Sequence, residues 1–168
     1  MAMQDKPSVL FVCTANRFRS PIAEAAFRKL LRERGIEHIW RVGSAGSWTK
    51  DGLSPVPSAA WMLEHLGLDM SKHHSRSISR ELIAQYQLIL VMEKNQKEAL
   101  QTEFPELNRK VFMLTEICSG PVVDIPDPVS QPEELYLSVA WEIIHLNENC
   151  FQEICLRASS IQKNSEII

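Results

Sequence analysis

The chain has 168 residues, a net charge of −3 and an apolar fraction of 45%, which suits one domain with a proper hydrophobic core. So mild a charge does not argue for a nucleic-acid surface, and no nucleic-acid partner is expected; no apolar run approaches the ~20 residues of a membrane span. The polar stretch Met1 to Lys6 carries no signal-peptide pattern. Cys13, Cys118, Cys150 and Cys155 show neither metal-ligand spacing nor a disulfide framework. A cytoplasmic location, where thiols stay reduced, fits that usage best.

Val9, Leu10, Phe11 and Val12 open the chain's first element, a short apolar run of strand formers that reads as a buried parallel strand. Pro21 to Arg34 follows as a helix, with Ile22, Ala23, Ala26, Phe27, Leu30 and Leu31 at helical spacing and Gly35 as its stop. Ser20 reads as the N-cap and Pro21 as the first helical residue. Cys13 and Arg19 therefore sit at the two ends of a loop leading into a helix N-terminus. Loop amides and the helix dipole hold an anion there without a metal. Arg19 adds a bidentate fork. The same field stabilises a thiolate on Cys13 and makes it a nucleophile. Together these parts point to attack on a phosphoryl group.

Further along, Ile39 to Val42 reads as the second strand and Gly43 to Gly46 as a turn. A loop from Ser47 to Pro57 carries Trp48 near its start. Ser58 to Leu66 reads as a helix closed by Gly67, and Ser79 to Tyr86 as a short one. Leu88 to Met92 is the third strand, Lys94 to Phe104 a helix stopped by Pro105, and Val111 to Leu114 the fourth strand. A loop with Asp124 and Asp127 comes next. Either Asp is a local candidate for the proton donor that an ester leaving group needs. Glu133 to about Leu156 reads as one long amphipathic helix, and the segment from Ser159 as a frayed tail. Alternating strands and helices imply a single α/β domain over residues 1–158, its parallel sheet covered by helices on both faces. Its ligand is expected beyond the carboxyl ends of the strands.

At Cys13, Asn16, Arg19, Ser20 and Pro21 the sequence resembles the low-molecular-weight protein tyrosine phosphatases, and the resemblance extends to about the C-terminal helix. It implies a four-stranded parallel sheet and a two-step reaction without cofactor or metal. Cys13 takes the phosphoryl group from a phosphorylated protein or small aryl phosphate. Asp127, directly before Pro128, serves as general acid and then as general base. Thr14, Ala15, Asn16, Arg17, Phe18 and Arg19 form the phosphate loop. Asn16, Ser44 and His73 match positions that brace it. Ser20 has two competing uses, donating to the Cys13 sulfur or capping the helix. Trp48 matches a cleft-wall position, where it either stacks on an aryl ring or packs into the protein.

The sequence also departs from that pattern. Ala15 stands where Gly is frequent, and a left-handed dihedral there would cost about 1–2 kcal/mol. Phe18 stands where a second Cys is frequent, so oxidised Cys13 lacks its neighbouring resolving thiol and leaves Cys118 or another thiol to supply one. Arg17 either draws acidic peptides or a second phosphate, or faces solvent. Val129 replaces an aromatic, removing one stacking wall for phosphotyrosine. Three rival readings share these features. Arsenate reductase needs a cysteine relay, and residues 67–109 contain no Cys. Arginine phosphatases differ in leaving group and tend to carry Thr at the place of Arg17. A non-catalytic phosphate-binding module would not need Cys13, Arg19 and Asp127 together.

Overall fold

A computed structural model describes residues 6–57 and 63–165 of the chain. The first apolar run forms β1 (Ser8–Cys13), with every residue buried. Side chains alternate across a strand, so β1 feeds two cores. Val9, Phe11 and Cys13 face one, and Leu10 and Val12 the other. The first core is covered by α1 (Arg19–Glu33), α5 (Glu133–Asn149) and α6 (Phe151–Ser165). The second is covered by α2 (Arg80–Ile83) and α3 (Lys94–Glu103).

The remaining strands are β2 (Arg41–Gly46), β3 (Leu88–Val91) and β4 (Val111–Met113), followed at once by the short α4 (Leu114–Ile117). All pairings are parallel, in the order β2-β1-β3-β4. The expected four-stranded sheet with helices on both faces is thus the architecture found. In this order the chain leaves β1 in opposite directions toward β2 and β3, which opens a crevice at the carboxyl end of β1. Cys13 is the last residue of that strand. No helix among the described residues is long and apolar enough to cross a membrane.

Several elements differ from the sequence reading, each for a tertiary reason. Ile39 closes a single 3₁₀ turn, and β2 runs instead through Gly43-Ser-Ala-Gly46, which local composition marks as a turn. These glycines serve close approach. A Cβ at Gly43 would overlap the Arg76 guanidinium and the Tyr86 hydroxyl, and one at Gly46 would lie 2.7 Å from the Thr14 carbonyl oxygen. Gly35, by contrast, is needed for its dihedral. It has φ +69°, and Gly35 N–H donates to Arg32 O while Ile36 N–H donates to Leu31 O, the paired bonds of a Schellman stop. The expected helix from Ser58 to Leu66 falls partly outside the described residues, of which residues 63–65 are helical.

The single long C-terminal helix is two helices. Cys150, at φ −104° and ψ 8°, separates α5 from α6, and α6 continues past Ser159 to Ser165. Cys150 is bonded to Cys118 at the end of α4, with the Cα atoms 5.3 Å apart. One residue on, Phe151 packs 5.3 Å from Phe27. Anchored on both sides, the chain turns at Cys150. The disulfide corrects the expectation of four unpaired thiols and withdraws the cysteine argument for a reducing compartment. Cys13 and Cys155 remain free, and burial pushes the Cys155 thiol up to about 11. The cross-link spans 32 residues, and closing a loop of that length removes about 3–4 kcal/mol of denatured-state entropy. Cys118→Ser is therefore expected to lower unfolding free energy by about that amount. Urea denaturation with and without dithiothreitol checks it, because the reductant should bring the wild type to the variant and leave the variant unchanged.

Candidate active site

The loop between β1 and α1 is pinned to its neighbours through the backbone. Ser47 N–H donates to Cys13 O at 2.9 Å, Trp48 N–H to Thr14 O at 3.0 Å and Val56 N–H to Arg17 O at 3.1 Å. The loop enters α1 at Phe18, whose side chain makes no capping bond, and no acidic residue stands in the first turn. The positive end of a 15-residue helix is thereby left for an anion. Ser20 is not the cap. It lies inside the first turn, and Pro21 is the third helical residue.

The hydroxyl of Ser20 has another use, fixed by a chain of bonds. Arg76 N–H donates to Asn16 Oδ1 at 3.0 Å, so the other end of that amide is the donor. Asn16 Nδ2 gives one proton to Ser20 Oγ at 2.9 Å and one to Ser44 Oγ at 3.0 Å. Ser44 in turn donates to Glu24 Oε2 at 2.7 Å. Ser20 Oγ accepts there and faces Cys13 Sγ at 3.0 Å, with Ala45 O a more distant acceptor for its proton at 3.4 Å. Asn16 N–H approaches the same sulfur at 3.3 Å. His73 Nε2 donates to Asn16 O at 2.8 Å.

Asn16, Ser44 and His73 are therefore joined around the loop, and Asn16 is the residue that carries its unusual backbone, at φ 55°. Ala15 is not in the left-handed region and bears no such strain. Asn tolerates that region because its amide bonds locally, and here the amide is fully used.

Arg19 is 2% exposed and lies between two carboxylates. Its Nη1 donates to Glu93 Oε1 and, at 2.8 Å, to Ile125 O. Its Nη2 donates to Asp127 Oδ2 at 2.8 Å and faces Thr14 Oγ1 at 3.5 Å. Asp127 is thus brought to the loop between β1 and α1 from 108 residues away, while Val129 N–H holds its other oxygen at 3.1 Å. Asp124 accepts from Lys94 N–H at the start of α3, which makes it a structural residue.

The other predicted positions separate by exposure. Trp48 is 84% exposed, which excludes core packing, and Val129 is exposed as well. Phe18 is buried edge-on to Tyr136 of α5, ring centroids 5.0 Å apart. It fills the core beside the loop and offers no thiol. Cys118, the distant alternative thiol, is occupied by Cys150. Arg17 is partly exposed and tied through Nε to Ser54 O at 2.7 Å.

Glu93, Glu24 and Arg76 escaped the sequence reading. Glu93 follows the carboxyl end of β3, the strand adjacent to β1. That position is where a parallel sheet places ligand-facing groups, so the signal existed. Glu24 and Arg76 act only through partners that no local pattern shows.

Comparison with known proteins agrees with this geometry. A profile of the family described as "Low molecular weight phosphotyrosine protein phosphatase" matches residues 8–164. A pig protein of that name is 39% identical over 112 residues, 66% of this chain and 65% of its own length, so the chain spans slightly less than two thirds of that relative. A protein-arginine-phosphatase from Geobacillus stearothermophilus is 33% identical over 135 residues, 80% of this chain and 87% of its own length. The crystal structure of a low molecular weight protein tyrosine phosphatase from T. tengcongensis is similar at a TM-score of 0.80 and 32% identity, covering 87% of this chain and 98% of that one.

Proposed function

The chain belongs to the low molecular weight phosphotyrosine protein phosphatase family, and from that premise we propose that it hydrolyses phosphate monoesters on proteins, phosphotyrosine foremost, through a phosphocysteine intermediate. The observation that carries the reading is the convergence on one sulfur. A hydroxyl proton from Ser20 and the Asn16 amide face Cys13 Sγ at the open N-terminus of α1, and such donors suit a thiolate nucleophile.

In the first step Cys13 Sγ bonds to phosphorus and the ester P–O bond breaks. The departing oxygen takes its proton from Asp127. In the second step Asp127 accepts a proton from water, the water oxygen bonds to phosphorus, and the S–P bond breaks. The electron pair returns to sulfur, where the Ser20 proton stabilises it. Loop amides, the α1 terminus and Arg19 hold the phosphoryl oxygens throughout. The phosphate takes over Arg19 Nη2 from Asp127, and that exchange frees the carboxyl to face the leaving oxygen. Glu93 and Ile125 O keep Nη1 fixed while it happens.

Exposed Trp48 offers one wall for an aryl ring. Val129 offers an aliphatic contact in place of a second ring, so discrimination for phosphotyrosine over other aryl phosphates is modest. Phosphoarginine is the second reading, favoured by the arginine-phosphatase relative. The Arg17 cation beside the cradle opposes it, because phosphoarginine brings its own guanidinium.

The test is hydrolysis in chelator of p-nitrophenyl phosphate, a phosphotyrosine peptide and a phosphoarginine peptide, with Asp127→Ala beside the wild type. The phosphotyrosine peptide is expected to turn over faster than the phosphoarginine one, and Asp127→Ala to lower kcat about 10²–10³-fold. A wild type that binds phosphate and hydrolyses none of the three is a binding module.

A further inference from the structure

Gln96, in the first turn of α3, is 5% exposed, and both ends of its amide are engaged. Its Oε1 accepts from the backbone N–H groups of Met92 at 3.0 Å and Glu93 at 3.1 Å. Backbone N–H groups only donate, so the oxygen end of the amide is fixed. Nε2 must then be the end that reaches across to Thr14 Oγ1, 3.0 Å away and 82 residues earlier in the chain. Thr14 is the accepting partner in that bond. Its second lone pair faces Arg19 Nη2 at 3.5 Å. A hydroxyl that accepts on both sides has its proton left over.

These bonds close a ring. Gln96 holds Glu93 by its backbone, the Glu93 carboxylate holds Arg19 Nη1, Arg19 Nη2 faces Thr14, and Thr14 returns to Gln96. Two members of the ring, Thr14 and Arg19, belong to the loop that cradles the anion.

We propose that Gln96 is a positioning residue that turns the Thr14 hydroxyl into a donor to the bound phosphate. The physical requirement is direction. A free threonine hydroxyl rotates and offers either its proton or a lone pair, and a lone pair facing a phosphate dianion repels it. A buried donor at Nε2 removes the wrong orientation before the anion arrives. The group is set in advance, as an electrostatic site requires. The anion then gains one neutral donor beyond the loop amides and the Arg19 fork. This rests on the anion-cradle reading of the loop, though not on turnover.

The experiment is the dissociation constant of inorganic phosphate, measured by isothermal titration calorimetry at pH 7. It compares wild type, Gln96→Leu, Gln96→Glu, Thr14→Val and the double variant Gln96→Leu/Thr14→Val. Each single variant is expected to weaken phosphate binding roughly ten-fold, the scale of one hydrogen bond to a charged group. The double variant is expected to bind like Thr14→Val, because Gln96 acts through that hydroxyl. Gln96→Glu still accepts from both backbone N–H groups of the helix cap. It draws the Thr14 proton toward itself, and should lose affinity while keeping its midpoint in urea.

Additive losses in the double variant overturn the proposal, since Gln96 would then act by some route other than Thr14. Wild-type affinity in Thr14→Val overturns it too, as does a wild type that binds no phosphate. A wild type that binds phosphate with this coupling but hydrolyses nothing leaves the proposal standing and removes only the enzymatic reading.

Discussion

Cys13→Ser is expected to abolish hydrolysis of p-nitrophenyl phosphate, lowering kcat by about 10⁴-fold or more, the scale lost when a covalent nucleophile is removed. A serine hydroxyl has nearly the shape of the thiol, so the neighbouring bonds from Ser20 and Asn16 keep their places. What it lacks is the nucleophilicity of sulfur, and no nearby group is placed to take its proton. Ser20 Oγ already accepts from Asn16, and Asp127, once phosphate takes its place on Arg19, faces the leaving oxygen and not residue 13. The cradle itself is untouched, so phosphate should bind the variant about as well as the wild type. The two measurements separate nucleophile from cradle. A variant that retains more than about one hundredth of the activity would move the nucleophile elsewhere, and one that loses phosphate binding would mean the sulfur is part of the cradle.

Arg19→Ala should fail in a different way, losing activity and stability together. Without Arg19, the equatorial oxygens lose a cation during transfer, a defect of about 10³-fold or more in kcat/KM. The stability cost comes from the partner left behind. Glu93 is one-fifth exposed and would be left with no guanidinium beside its carboxyl. Stranding a buried charge costs about 3–5 kcal/mol, and the residual exposure of Glu93 places this case near the low end. Asp127 contributes less, because its side chain is 38% exposed and reaches water when released. Adding Glu93→Gln to Arg19→Ala is therefore expected to restore most of the lost stability and none of the activity. Urea denaturation and aryl-phosphate turnover read the two effects separately. If Glu93→Gln restores nothing, the destabilisation comes from lost packing of the Arg19 side chain.

Arg19 also illustrates how a buried cation between two acids resolves itself. The guanidinium has five N–H donors in a fixed fork. Here the four on Nη1 and Nη2 meet Glu93, Asp127, a main-chain carbonyl and Thr14. In the proposed reaction an incoming phosphate displaces Asp127, the more exposed of the two carboxylates. The carboxylate proposed to move for proton transfer is thus the more exposed one.

What the sequence determined by itself is the strand, loop and helix that carry Cys13 and Arg19. Those features rest on short-range rules. An apolar run of strand formers is buried, a 3.6-residue period gives α1, and Gly35 stops it. The alternation of strands and helices was enough for the parallel sheet, and the sheet was enough to put Cys13 at its carboxyl edge.

Only tertiary structure decided the rest. Gly43-Ser-Ala-Gly46 became strand because it pairs with Leu10 to Cys13 of β1, and its glycines admit Arg76, Tyr86 and the Thr14 carbonyl. The break at Cys150 needed a disulfide whose pairing spacing does not reveal. Ser20 left the cap to face the sulfur, its oxygen accepting from Asn16, which a main-chain amide 60 residues on holds in place. Glu93 and Asp127 meet Arg19 across 74 and 108 residues. Local periodicity reports how a segment buries its own side chains. It carries no record of which distant groups share one guanidinium, because that depends on how the sheet orders its strands.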